Sequence, residues 1–216
     1  PSFKFEPSPY TIPGLKEGRV SFNSDQLNAI EKVMKSDHCT LILGMPGTGK
    51  TTTIAVLIDT LVNLGKSVLI ASYTNSAVDN ILLKIKDSGY DILRIGRLSS
   101  VHRDVRKFVP ENIKGQDDID RLYMNPKVVA STCLGIRHWV FSKRSFDYCI
   151  IDEASQVTLP VCIGPLMLAK KFVLVGDHYQ LSPLVINSEA LDGGLDISLF
   201  KYLNDKYPQS VINLEH

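Results

Sequence analysis

The residues Gly44-Met45-Pro46-Gly47-Thr48-Gly49-Lys50-Thr51 put three glycines, a lysine and two threonines within one short segment. Glycines let successive backbone N–H groups turn inward around a phosphate. Lys50 offers a point charge to β- and γ-phosphates, and the Thr51 hydroxyl is a hard oxygen ligand for Mg²⁺. With Thr52, the next residue of the following helix, the candidate cofactor-binding set is Gly44, Pro46, Gly47, Thr48, Gly49, Lys50, Thr51 and Thr52. A plain glycine-rich turn is the alternative. The phosphate reading requires a strand before the loop and a helix after it.

Further along, Tyr148-Cys149-Ile150-Ile151 leads into Asp152 and Glu153. Carboxylates at the C-terminal end of a parallel strand face the crevice where ligands bind. There Asp152 would hold Mg²⁺ through water, and Glu153 would orient and polarise an attacking water. The competing reading is a helix N-terminus supplied with acids to suit its dipole. Gln180 follows the apolar run Phe172–Val175 and is placed to reach a γ-phosphate or its attacking water; otherwise it belongs to a polar loop. Gln26 stands three residues after Asn23, which is capping-box spacing. It closes a helix N-terminus, or its amide reads an adenine edge with a donor and an acceptor side by side.

The elements that position these groups follow from periodicity. Leu27, Ile30 and Met34 fall at helical spacing, and Lys50–Asn63 and Ser76 to about Lys86 read as helices. Strands are predicted at Thr40–Leu43, Ser67–Ala71, Val128–Ser131, Tyr148–Ile151, Phe172–Val175 and Val211–Leu214. Most are continuous apolar runs, the mark of parallel strands covered on both faces. Strand–helix alternation implies an α/β sheet with right-handed crossovers. Residues 94–127 are polar, carry Pro110 and Pro126, and read as a small helical insertion. Residues 1–20, with four prolines, read as an extended linker from an upstream region. Leu214-Glu215-His216 matches the first residues of a common affinity-tag scar, so no role is expected of it.

Bulk properties narrow the choices. The length of 216 residues suits one large domain with its own core. A net charge of +1 means that any polyanion site must be built from locally clustered bases. The four cysteines form no CxxC pair and no zinc-spaced cluster, and Cys149 and Cys162 sit among apolar residues as thiols of a reduced, intracellular protein. No apolar run is long enough to span a membrane.

Together the blocks Asn23–Gln26, Gly44–Thr51, Ser72–Asp79, Asp152–Gln156 and Gly176–Leu181 resemble the first RecA-like motor domain of superfamily 1 helicases. Asp152-Glu153-Ala154-Ser155-Gln156 points to the branch that includes RNA-surveillance helicases and replication nuclease-helicases. The stretches Ser72–Leu82 and Gly164-Pro165-Leu166 are most similar to the latter. The resemblance implies a RecA-like P-loop NTPase over residues 21–216, with a mostly parallel sheet, helices on both faces, and ATP and Mg²⁺ as cofactors. It makes Lys50, Asp152, Glu153 and Gln180 the catalytic set and Thr51 and Asp152 the metal ligands, with Gln26 on adenine.

It also makes Ser72, Tyr73, Thr74, Asn75 and Ser76 a binding edge for single-stranded nucleic acid, DNA favoured over RNA, with Ser131 and Thr132 on the same edge. Hydroxyls and an amide at a strand's end, before a helix N-terminus, suit phosphate oxygens; capping that helix is the other use for them. The implied whole is a nuclear 5′-to-3′ DNA helicase or translocase within a nuclease-helicase of replication and repair, acting in Okazaki-flap processing and end resection. Its partners would be an upstream nuclease region and a second RecA-like motor domain that brings arginines to the ATP site. Alone, the chain is expected to bind nucleotide and hydrolyse it negligibly. An RNA-surveillance helicase and a nucleotide-dependent scaffold are the alternatives. Two departures stand out: Ser182-Pro183 where the family has two prolines, and Asn75 where relatives often carry His.

Overall fold

The computed structural model describes residues 23–111, 113–177, 179 and 181–215. The expected linker at 1–20 and the sensor Gln180 lie outside the described residues.

The chain begins with α1 (Ser24–Lys35), β1 (Cys39–Gly44) and α2 (Lys50–Asn63). β2 (Val68–Ser72), α3 (Asn75–Ile85) and β3 (Ile92–Ile95) follow. An irregular connection with two 3₁₀ turns leads to one short helix, α4 (Gln116–Ile119), which runs into a π-helical turn at Asp120–Met124. Then come β4 (Val128–Thr132), β5 (Phe146–Asp152), α5 (Leu159–Leu166) and β6 (Ala169–Gly176). The chain ends with α6 (Ser188–Asp192), α7 (Leu199–Lys206) and β7 (Val211–Leu214).

All seven strands lie in one sheet in the order β3-β4-β2-β5-β6-β1-β7, and every pairing is parallel. That is the α/β architecture expected from the apolar runs. One face packs Ile30, Ile54, Leu57, Ile81 and Leu82 from α1, α2 and α3 against Ile42, Ile70 and Ile150. The other packs Val140, Phe141, Cys162 and Phe200 against Leu41, Leu69, Cys149 and Leu174.

The expected insertion at 94–127 is corrected at its start. Arg94 and Ile95 belong to β3, paired with Ala130 and Ser131 of β4. A charged residue inside a four-residue strand hid the apolar pattern. Arg94 is nonetheless fully buried, because Asp79 of α3 receives its charge. The connection after β3 holds two 3₁₀ turns, Leu98–Ser100 and Arg106–Phe108, followed by α4 and its π-helical turn. Val101 and Val105 tuck into the core beside β3, so this segment covers an edge strand that would otherwise be exposed.

Candidate functional site

The phosphate loop joins β1 to α2. Gly47 and Gly49 adopt left-handed backbone angles, φ +87° and +82°, which the loop can take because they have no side chain. A Cβ on Gly49 would lie 2.6 Å from the Gln26 Nε2 atom, so Gln26 stands directly against the loop. α1 and α3 are capped by the side chains of Asn23 and Thr74, whereas α2 has no side-chain cap. Its first N–H groups are left for a ligand, and its positive dipole end points at the loop. Lys50 Nζ is folded back onto the carbonyl oxygens of Gly44 and Met45, at 2.7 and 3.3 Å. A phosphate would offer this ammonium a charged acceptor instead.

Across the loop is a cleft of about 400 Å³, lined by Met45, Pro46, Gly47, Gly49, Lys50, Thr51, Thr52, Lys84 and Glu153. Glu153 is the one described non-glycine residue with positive φ, at 53°. Such strain costs about 1–3 kcal/mol and is typical of functional positions. It turns the Glu153 side chain toward the cleft. The turn that follows is held down over the end of β6. A Cβ on Gly176 would come within 3.0 Å of the Ser155 nitrogen, and the Ser155 hydroxyl accepts from Asp177 N–H at 3.3 Å.

Asp152 ends β5 and is 5% exposed. Burial, then the Glu153 charge, pushes its pKa up to about 6, while the Glu153 N–H and Lys50 pull it back. A buried carboxylate with so little compensation suits a cation. Hard oxygens from Thr51 and Asp152 fit Mg²⁺, which usually takes one or two protein oxygens and completes its shell with water and phosphate. Among the described residues no group of three or more His, Cys, Asp or Glu could hold a metal.

β6 lies between β1 and β5, with Leu43 beside Gly176 and Leu174 beside Ile151. The loop and Glu153 therefore stand two strands apart, roughly 10 Å, with the end of β6 between them. Lys84 is a cleft residue that the sequence did not reveal. It reads as an ordinary exposed helix position, and only the packing of α3 on α2 brings it here.

For Gln26 the capping box is present: Gln26 N–H donates to Asn23 Oδ1 and Asn23 N–H to Gln26 Oε1. Its position against Gly49 leaves the amide nitrogen end beside the loop.

The strand-binding candidates divide. Tyr73, Thr74 and Ser76 are exposed and Asn75 is half-buried, and Thr74 also caps α3 by accepting from Ala77 N–H at 3.2 Å. Ser72 and Ser131 have no exposed surface. The Ser72 hydroxyl donates to the Asp152 carbonyl at 3.0 Å, tying the end of β2 to the end of β5. Among the described residues, Ser131 Oγ is the one buried side-chain polar atom without a partner, and a Cβ on Gly135 would fall 2.3 Å from it. By register the two hydroxyls lie on opposite faces of the sheet, and each is buried because both faces are covered. Thr132 is half-buried and caps the turn at Gly135.

The sequence is similar to those of known proteins. The chain is 51% identical over 195 residues to "DNA replication ATP-dependent helicase/nuclease dna2" of Schizosaccharomyces pombe, covering 89% of this chain and 14% of that protein. It is 52% identical over 198 residues to "DNA replication ATP-dependent helicase/nuclease JHS1" of Arabidopsis thaliana, covering 91% and 15%. To the Homo sapiens helicase/nuclease DNA2 it is 49% identical over 187 residues, covering 84% and 18%. The chain thus spans less than a fifth of the length of each of these relatives. The solved Pif1 helicase from Candida albicans overlays with a TM-score of 0.49 at 18% identity, over 90% of this chain and 40% of that one. The model of the AAA domain family matches residues 21–121 and 112–188, most of the sequence, and this chain belongs to that family.

Proposed function

We propose that the chain is the ATP-binding, first RecA-like motor domain of a 5′-to-3′ DNA helicase or translocase within a nuclear replication nuclease-helicase. The observation that carries this is the cleft itself, in which Lys50, Thr51 and the uncapped start of α2 face Glu153. The relatives' names, which join helicase and nuclease, favour DNA over RNA as the strand.

In this reading the loop amides and Lys50 hold the β- and γ-phosphates, and Lys84 adds a second cation. Gln26 faces adenine. Thr51 and Asp152 would hold Mg²⁺, which when bound neutralises charge on the phosphate oxygens. Glu153 accepts a proton from, and orients, the attacking water, and Gln180 senses the γ-phosphate. No arginine lines the cleft among the described residues. A second RecA-like domain would supply one, worth about 10³–10⁵ in turnover. The exposed edge at Tyr73–Ser76 contacts the strand.

Calorimetry tests the reading. ATP should bind in the presence of Mg²⁺ and more weakly in EDTA, and Lys50→Ala should lose ~1.5–3 kcal/mol. Hydrolysis by this chain should be negligible. In a protein carrying both motor domains it should be strand-stimulated and lost in Glu153→Gln, with ATP binding kept. Equal ATP affinity in Lys50→Ala would sink the assignment.

A further inference from the structure

Glu153 is held in a conformation that a residue with a side chain resists, with φ at 53°. Such a backbone persists only where its surroundings over-determine it. Four polar contacts do so here. The Glu153 carbonyl accepts from Gln156 N–H at 3.0 Å, which closes the turn on the C-terminal side. The Glu153 carboxylate accepts from Gln156 Nε2 at 3.3 Å. On the N-terminal side both ends of the Asp152–Glu153 peptide are bonded. Its N–H donates to Asp152 Oδ1 at 2.9 Å, and its C=O accepts from the Ser72 hydroxyl at 3.0 Å.

The Ser72 bond differs from the other three. They lie within residues 152–156, whereas Ser72 comes from β2, eighty residues earlier. Ser72 and Asp152 are the last register pair of β2 and β5, so a side-chain hydroxyl links the two strands where their pairing ends. None of Ser72 is exposed, and removing its hydroxyl leaves the Asp152 carbonyl without that donor. The rotation φ of Glu153 relates this peptide plane to the Glu153 Cα, and a peptide plane turns as a unit. Fixing the carbonyl therefore fixes the direction in which the Glu153 side chain leaves the backbone. Tyr73, the residue after Ser72, is 52% exposed and opens the edge at Tyr73–Ser76.

We propose that Ser72 is a positioning residue for hydrolysis. Its hydroxyl pins the Asp152–Glu153 peptide and so aims the Glu153 carboxylate at the attacking water. A strand seated on Tyr73–Ser76 bears on the same peptide through the adjoining residue. The inference rests on the reading of Glu153 as the group that orients water, and it adds the residue that orients Glu153.

Two measurements test it. In the chain itself, amide hydrogen exchange read by NMR should show the Glu153 N–H exchanging ~tenfold faster in Ser72→Ala, with the Ile70 and Ile150 amides unchanged. In a protein carrying both motor domains, Ser72→Ala should lower kcat at saturating strand ~ten- to hundredfold. The KM for ATP and the half-saturating strand concentration should stay within about twofold of the parent, because the lost contact acts only on the reacting geometry. Ser72→Thr keeps the hydroxyl and should restore both readouts. Ser72→Cys keeps the shape but is only a weak donor, and should behave like Ser72→Ala. The Cys variant decides the matter if the added methyl of Thr unfolds the chain. A melting temperature that falls together with ATP and strand affinity would mark a merely structural hydroxyl and overturn the proposal. So would an unchanged kcat, or unchanged Glu153 exchange, in Ser72→Ala. If Glu153→Gln hydrolyses ATP as fast as the parent, the functional reading itself fails. If Glu153→Gln is inactive and Ser72→Ala keeps the parent rate, this inference alone fails.

Discussion

Replacing Asp152 with Asn should make the nucleotide-free chain more stable while disabling its metal-dependent binding. The carboxylate is 5% exposed, and burial is the main reason its pKa rises from 3.8 to about 6. That difference of about 2 pH units, at 1.36 kcal/mol each, amounts to about 3 kcal/mol against the ionised form in the folded state. The penalty is full above the folded pKa of about 6 and vanishes below the ordinary value of 3.8. Stability from this group therefore rises on acidification through that window, the reverse of a salt-bridged carboxylate. Asn retains an oxygen for the Glu153 N–H, now 2.9 Å from Asp152 Oδ1, and has no charge to desolvate. Denaturant titration near neutral pH, without metal, should find the variant more stable by up to ~3 kcal/mol, with the gap closing toward pH ~4. Calorimetry should find Mg²⁺-ATP affinity reduced ~tenfold or more and insensitive to EDTA. A variant that unfolds earlier than the parent near neutral pH, or a gap that does not narrow on acidification, would refute the desolvation argument.

Arg94→Met removes the charge paired with the 3%-exposed Asp79 and should cost ~3–5 kcal/mol in denaturant titration. A loss below ~1 kcal/mol would mean that the pair contributes little. Asp147 joins the start of β5 to Ser67, accepting from its N–H and hydroxyl at 2.9 and 3.0 Å; these bonds, with Lys170, hold its pKa down to about 2. Its contribution should be present above pH 3.8 and lost as pH falls toward 2, so Asp147→Ala should cost ~1–2 kcal/mol at neutral pH and nothing at the acid limit. An unchanged acid-unfolding midpoint would count against it. Lys84→Ala should weaken ATP binding several-fold without lowering the melting temperature, since Lys84 is exposed. Unaltered affinity would remove Lys84 from the site.

Much of this molecule is written locally in its sequence. The phosphate loop needs only an apolar run, glycines where φ is positive, and a helix former after them, all within Cys39–Asn63. The predicted helix Lys50–Asn63 coincides with α2, and the predicted strand Val211–Leu214 with β7. The charges that follow Ile151 likewise mark the end of a buried strand. Periodicity failed where a tertiary contact overrode it. Arg94 reads as surface, yet it lies in β3 because Asp79, fifteen residues earlier, neutralises it.

Strand order was beyond local reading altogether. All the parallel strands are similar apolar runs, so nothing in β6 says that it inserts between β1 and β5 and so sets the spacing of the phosphate loop from Glu153. The same holds for convergence. Lys84 reaches the cleft only through helix packing, and Arg94, Arg97 and Arg137 meet only because β3 and β4 are neighbours at the sheet edge. Nor does sequence say which hydroxyls face solvent: Thr74 does, while Ser72 and Ser131, on opposite faces of the sheet, are both covered by the layers packed on it. The chemistry of each group was fixed by its residue type, but which groups act together depended on long-range packing, which leaves no local trace in the chain.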